Sequence, residues 1–141
     1  MAVVRTHDID LIAKAVSRYN KPVHGFNPED WGEGSKNIAL VDEIGNVSLF
    51  EYDKEGVVTG HYFFVSRGKE AVTVSSEMLY EIFHGPYRIE AIRGLTPIDH
   101  KGALWLSRHL GFKQYVILET EAGPCALFIL TKNEYLNKEN G

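Results

Sequence analysis

The stretch Phe63-Phe64-Val65-Ser66-Arg67-Gly68-Lys69-Glu70-Ala71-Val72 carries the first chemical signal in the chain. Bulky apolar residues end in Arg-Gly-Lys, and a helical pattern follows. Strand, glycine turn and helix together can hold a phosphate. Glycine lets the backbone approach closely, and the free N–H groups and dipole of a helix N-terminus attract negative charge. The same residues also make an ordinary tight turn, with Glu70 pointing to solvent and complementing the positive helix end. Two residues are placed to move protons. His61 lies beside the apolar run, and Glu90 lies within Tyr87 to Arg93. Either can serve as a general base, Glu90 through a water. Their plainer readings are a hydrogen-bonded edge histidine and the solvent-side residue of a strand.

The remaining reactive types are less pointed. His100, Lys101, Arg108, His109 and Lys113 gather around one helical stretch, as a phosphate contact, a partner face or a solvated surface. The six histidines include no close ligand pair, so no metal site is expected. Cys125 is the single cysteine and sits in an apolar run, so it reads as inert core and no internal disulfide can form. A reducing compartment is the expectation, hence the cytoplasm. Trp31 and Trp105 read as packing residues.

The elements that position these residues follow from hydrophobic period and turn chemistry. Val3 to Arg5 is a short strand. Asp8 caps a helix with Ile9, Ile12, Ala13, Val16 and Tyr19 at helical spacing, and Asn27-Pro28 starts a second, short one. Asn37 to Asp42, Val47 to Tyr52 and Val57 to Val65 form a meander. Ala71, Val74, Met78, Leu79, Ile82 and Phe83 share one helical face, which Gly85-Pro86 ends. The β-branched run Val72 to Val74 predicts an irregular first turn. Tyr87 to Arg93 is a strand. Gly94 to Pro97 is a loop in which Thr96 caps a helix reaching Leu110, with Gly111 as its C-terminal cap. Lys113 to Thr120 and Cys125 to Thr131 make a hairpin. The order β-α-α-β-β-β-α-β-α-β-β requires a mixed sheet in an α/β (α+β) domain.

The chain has 141 residues, the size of one domain, with 136–141 as a frayed tail. Its apolar fraction of 44% and charged fraction of 24% suit a soluble globular protein. A net charge of −4 argues against a general nucleic-acid partner. The apolar runs are too short to span a bilayer, and the N-terminus lacks a signal-peptide pattern.

With this element order, His100 to Phe112 resembles the GNAT N-acetyltransferase pattern Asn-x-x-Ala-x-x-Leu-Tyr-x-x-Leu-Gly-Phe. Ala103, Leu106, Leu110, Gly111 and Phe112 are in register. The resemblance implies a GNAT-like fold and transfer of an acetyl group from acetyl-CoA to an amine acceptor. It implies that Arg67, Gly68, Lys69, Glu70, Ala71 and Val72 form the loop that holds the cofactor pyrophosphate. It also implies that the fourth and fifth strands splay, leaving the backbone of Phe64, Val65 and Ser66 to meet the pantetheine arm and a developing oxyanion. Glu70 and Val72 replace the small residues of that loop, Ser107 replaces the usual tyrosine acid, and His100 replaces the asparagine. The stretches RGKEA, GLTP and ALFILTK are further similar to small GNAT-like proteins of short-tailed bacteriophages. That similarity implies a non-catalytic head-assembly or virion role, with a viral or host protein partner.

Overall fold

The computed structural model describes residues 3–18 and 25–140. Strand β1 (Val4–Thr6) leads into helix α1 (Ile9–Ser17) and a 3-10 turn (Pro28–Trp31). The meander is β2 (Ile38–Val41), β3 (Val47–Lys54) and β4 (Val57–Phe63). Then come α2 (Gly68–His84), β5 (Ala91–Pro97), α3 (Lys101–His109), β6 (Lys113–Thr120), β7 (Gly123–Thr131) and α4 (Lys132–Asn140). The strands form one seven-stranded mixed sheet in the order β1-β2-β3-β4-β5-β7-β6. Its β4–β5 pair is parallel and the others are antiparallel. No helix among the described residues is long and apolar enough to cross a membrane.

Local chemistry sets the helix ends. The Asp8 carboxylate accepts from the N–H groups of Asp10 and Leu11, and Asn27 does the same for Glu29. Gly111, at φ +98°, closes α3, and the N–H of Phe112 returns to the carbonyl of Ser107.

Tertiary pairing overrides local signals in four places. Gly94 to Pro97 is strand, because Thr96 and Pro97 pair with Ala126 and Cys125 of β7. Thr96 therefore caps nothing; the ring of His100 accepts from the N–H of Ala103 and starts α3 four residues later than expected. Val72 to Val74 are helical within α2 despite their β-branched side chains, and the departure from regular helix is at its first residue, Gly68, with φ +59°. Residues 132–140 are helix rather than a frayed tail from 136: Tyr135 stacks on Phe83, and Lys138 donates to the carbonyl of His109.

The sheet has two dissimilar faces. On one, Leu40, Phe50, Val58, Ile92 and Leu130 are buried under Val74, Met78 and Ile82 of α2. On the other, α1 and the 3-10 turn cover only Ala39, Val41, Val47 and Leu49.

Candidate active site

The site begins with a gap in the sheet. Strands β4 and β5 are seven residues each but pair at three positions only, Val57 with Ala91, Val58 with Ile92 and Thr59 with Arg93. Beyond these, β4 keeps its pairing with β3 and β5 keeps its pairing with β7, so the two strands part. The backbone ladder is thus open at the C-terminal end of β4, where α2 begins.

Loop 64–67 carries the donors at this opening. The side-chain oxygen of Asn46 accepts from the N–H groups of Val65 and Ser66 at 2.8 and 3.0 Å. Its amide donates to Asp42 and to the Ser66 hydroxyl, which in turn donates to Glu70. Asn46 is fully buried, and Asp42 and Ser66 nearly so. This network braces the loop against the β2–β3 turn. It leaves Phe64 as the one donor of Phe64, Val65 and Ser66 with no hydrogen bond among the described residues. The N–H groups of Gly68, Lys69 and Glu70 are likewise open at the start of α2. Gly68 has φ +59°, and a side chain there would meet nothing within 4 Å, so the backbone is accessible. Arg67 and Lys69 are exposed beside it.

On the opposite face a cavity of about 90 Å³ opens near β4. Its walls include Phe26, Trp31, Phe63, Asp30, Glu51 and His61. His61 is exposed at the cavity mouth, yet enough protein surrounds the ring to hold its pKa below the ordinary value. Burial is the main cause; the carboxylates of Glu51 and Asp53 pull the other way.

The structure thus brings together His61 and the loop Phe64 to Val72, across the thickness of the sheet. Glu90 lies elsewhere. It precedes β5, and its N–H donates to Gly56 in the β3–β4 turn. It therefore stands at the paired end of β4, six residues from Phe63, or about 20 Å along the strand. Ser107 is buried on α3. Two residues escaped the sequence reading. Tyr62 extends from β4 on the helix side, its hydroxyl 3.5 Å from the carbonyl of Ala103, one helical turn before Ser107. Alternation along β4 signals that Tyr62 faces away from His61. Asn46 carries a local signal only for its turn with Asp42; the loop it braces, at Val65 and Ser66, is 19 and 20 residues away.

The basic cluster around α3 separates into parts. Lys101, Arg108 and His109 line an open groove of about 630 Å³ with Ile98, Leu104 and Trp105. That groove is on the outer side of α3, opposite Ala103 and Ser107, and so away from the opening. Lys113 pairs with Glu134 instead.

No protein-family model matches the chain, and no curated protein matches it. Solved structures do. Mutant forms of the spermidine/spermine N-acetyltransferase SpeG from Vibrio cholerae superpose with a TM-score of 0.80 at 13% identity, covering 98% of this chain and 97% of that one. The aminoglycoside acetyltransferase AAC(6')-Ib in complex with coenzyme A gives 0.67 at 12% identity, covering 98% and 99%. The chain has the GNAT acetyltransferase fold. At these identities, the fold is what the likeness establishes.

Proposed function

We propose that this chain is an N-acyltransferase that moves an acetyl group from acetyl-CoA to an amine. The observation that carries the reading is the parting of β4 and β5 after three paired positions, directly beside the open N-terminus of α2. The residues present fit the cofactor at that end. The N–H groups of Gly68, Lys69 and Glu70 and the side chain of Arg67 would hold its pyrophosphate. Bound acetyl-CoA supplies the activated acyl group as a thioester. The N–H of Phe64 is free to donate to the acyl oxygen. His61, kept neutral by its surroundings, accepts the proton of the amine on the other face. Tyr62 is the phenol at the helix-side mouth and replaces Ser107 as the group that returns a proton to the leaving sulfur.

Calorimetric titration with acetyl-CoA at low and moderate salt tests this. Binding near micromolar strength, about −8 kcal/mol, weakening with salt and about tenfold weaker in Arg67→Ala, is the expected result. No binding at millimolar acetyl-CoA would remove the loop from any cofactor role.

A second reading has its own observation. Leu95, Val116 and Leu118 are exposed on the sheet face that α1 leaves uncovered, and Glu70 sets a carboxylate in the loop. A non-catalytic protein of the bacteriophage assembly type, working in the host cytoplasm or the virion through protein contacts, would use such a face. Failure of acetyl-CoA to bind would favour it.

A further inference from the structure

We infer that the outer edge of β6 pairs with β6 of a second copy of this chain, antiparallel and about a two-fold axis, so that two sheets join into one. The inference stands apart from the acyltransfer reading. The sheet ends in two strands, β1 and β6, and their edges differ. The β1 edge is three residues long and carries Arg5, short and charged as exposed edges usually are. The β6 edge is eight residues long, and every residue but the last is exposed. Past one irregularity in register, between Gln114 and Val116, the run Val116-Ile117-Leu118 has no proline and no charge to turn another strand away.

The pattern of exposure says what kind of partner fits. Val116 and Leu118 pair with Leu127 and Cys125, on the face that α1 leaves open, whereas Ile117 pairs with Ala126 on the helix face. Val116, Leu118 and Ile117 are 47%, 42% and 55% exposed. A partner laid flat on the open face would cover Val116 and Leu118 and leave Ile117 bare. A strand added to the edge covers both faces at once, because its own side chains alternate. A second copy is the strand that matches, because the run is its own complement. With Ile117 at the axis, Ile117 meets its own copy and Val116 meets the partner's Leu118, apolar on apolar. Charge then sets the direction. Arg108 donates to Gln114 on the helix face at the start of β6, and Glu119 lies on that same face at its end. An antiparallel copy brings the partner's Glu119 toward Arg108 on both sides of the axis, whereas a parallel one would set like charges together. The area is sufficient as well. Tyr115 and the central three, with Leu95 on the open face and Trp105 one helical turn before Arg108, are each about half exposed. Together they offer roughly 600 Å² of apolar surface per copy, so a two-fold contact covers roughly 1,200 Å², enough for a specific interface.

Sedimentation equilibrium of the full chain tests this. The wild type should be a dimer with a dissociation constant on the order of micromolar. Ile117→Lys sets two ammonium groups at the axis and should weaken association by about a hundredfold or more. Glu119→Arg and Arg108→Glu should each weaken it about tenfold, and the two together should restore it. All three positions are exposed, and thermal melting confirms that each variant is folded. Amide hydrogen exchange along β6 should be slow in the dimer and fast in Ile117→Lys. A wild type that stays monomeric at ~100 µM would overturn the inference and leave the edge to a different chain. A dimer in which Ile117→Lys changes neither association nor β6 exchange would also overturn it, by placing the contact elsewhere.

Discussion

At the scale of single residues, His61 and Glu70 make opposite demands on charge. His61 must be neutral to accept a proton, and burial lowers its pKa from the ordinary value of about 6.5. If His61 is the base proposed above, the active form persists below that pH, and kcat/KM should fall only as pH drops through the depressed value. Glu51 pulls the pKa upward, so Glu51→Gln should move the acid limb of the pH–rate profile lower still. A limb that moves up or stays in place would remove His61 as the base. His61→Gln should lower kcat by about a hundredfold or more while leaving acetyl-CoA affinity intact by calorimetry.

Glu70 places a carboxylate in the turn that faces the phosphate donors. The Ser66 hydroxyl holds it, which explains how the loop tolerates glutamate where a small residue is usual. A like charge near an exposed phosphate costs about 1 kcal/mol. Glu70→Gln keeps an oxygen for Ser66 and removes the charge. It should tighten acetyl-CoA about fivefold at low salt, an advantage that disappears at high salt. An unchanged dissociation constant would place the carboxylate clear of the phosphates.

At the scale of elements, the legible parts are those whose causes are local. Asp8, Asn27 and Gly111 each act on the next few residues, and the meander turns carry their own glycine and asparagine. In sequence alone Thr96-Pro97 has the form of a helix start, and only pairing with β7 makes it the end of β5. The tail reads as frayed in sequence because α4 has little apolar face of its own; Phe83 and His109, far back in the chain, hold it. The candidate loop was legible at Arg67-Gly68, whereas the brace on that loop was not. Glu90 has the right chemistry at the wrong end of the sheet, and strand order alone does not say which end opens.

That brace makes the strongest prediction about an element. Asn46 is fully buried, and its side chain makes four hydrogen bonds, two accepted and two donated. Asn46→Ala strands the N–H groups of Val65 and Ser66 and deprives Asp42 and the Ser66 hydroxyl of a donor. The cost should reach about 3 kcal/mol in urea unfolding. Acetyl-CoA affinity should fall with it, because loop 64–67 sets the direction of α2. A loss below about 1 kcal/mol would show that water replaces the asparagine and that the loop is held otherwise.

At the scale of the whole molecule, the sheet is a partition. The phosphate donors, Tyr62 and helices α2 and α3 lie on or beside one face, and the His61 cavity lies on the other. On the acyltransfer reading proposed above, donor and acceptor would approach from opposite sides and meet where β4 and β5 part. Such an arrangement lets both be bound at once and asks for no acyl-enzyme. The single cysteine, Cys125, is not placed for such a role: it is buried on β7, with its sulfur near the Thr120 hydroxyl. Initial rates measured over a grid of acetyl-CoA and amine-acceptor concentrations should give intersecting double-reciprocal lines, and Cys125→Ser should leave the rate within about twofold, as for a group remote from the chemistry. Parallel lines, or a burst of thiol release before any amine is added, would mean that the acyl group rests on the protein. The two sides of the sheet would then be visited in turn, and the partition would lose its mechanistic meaning.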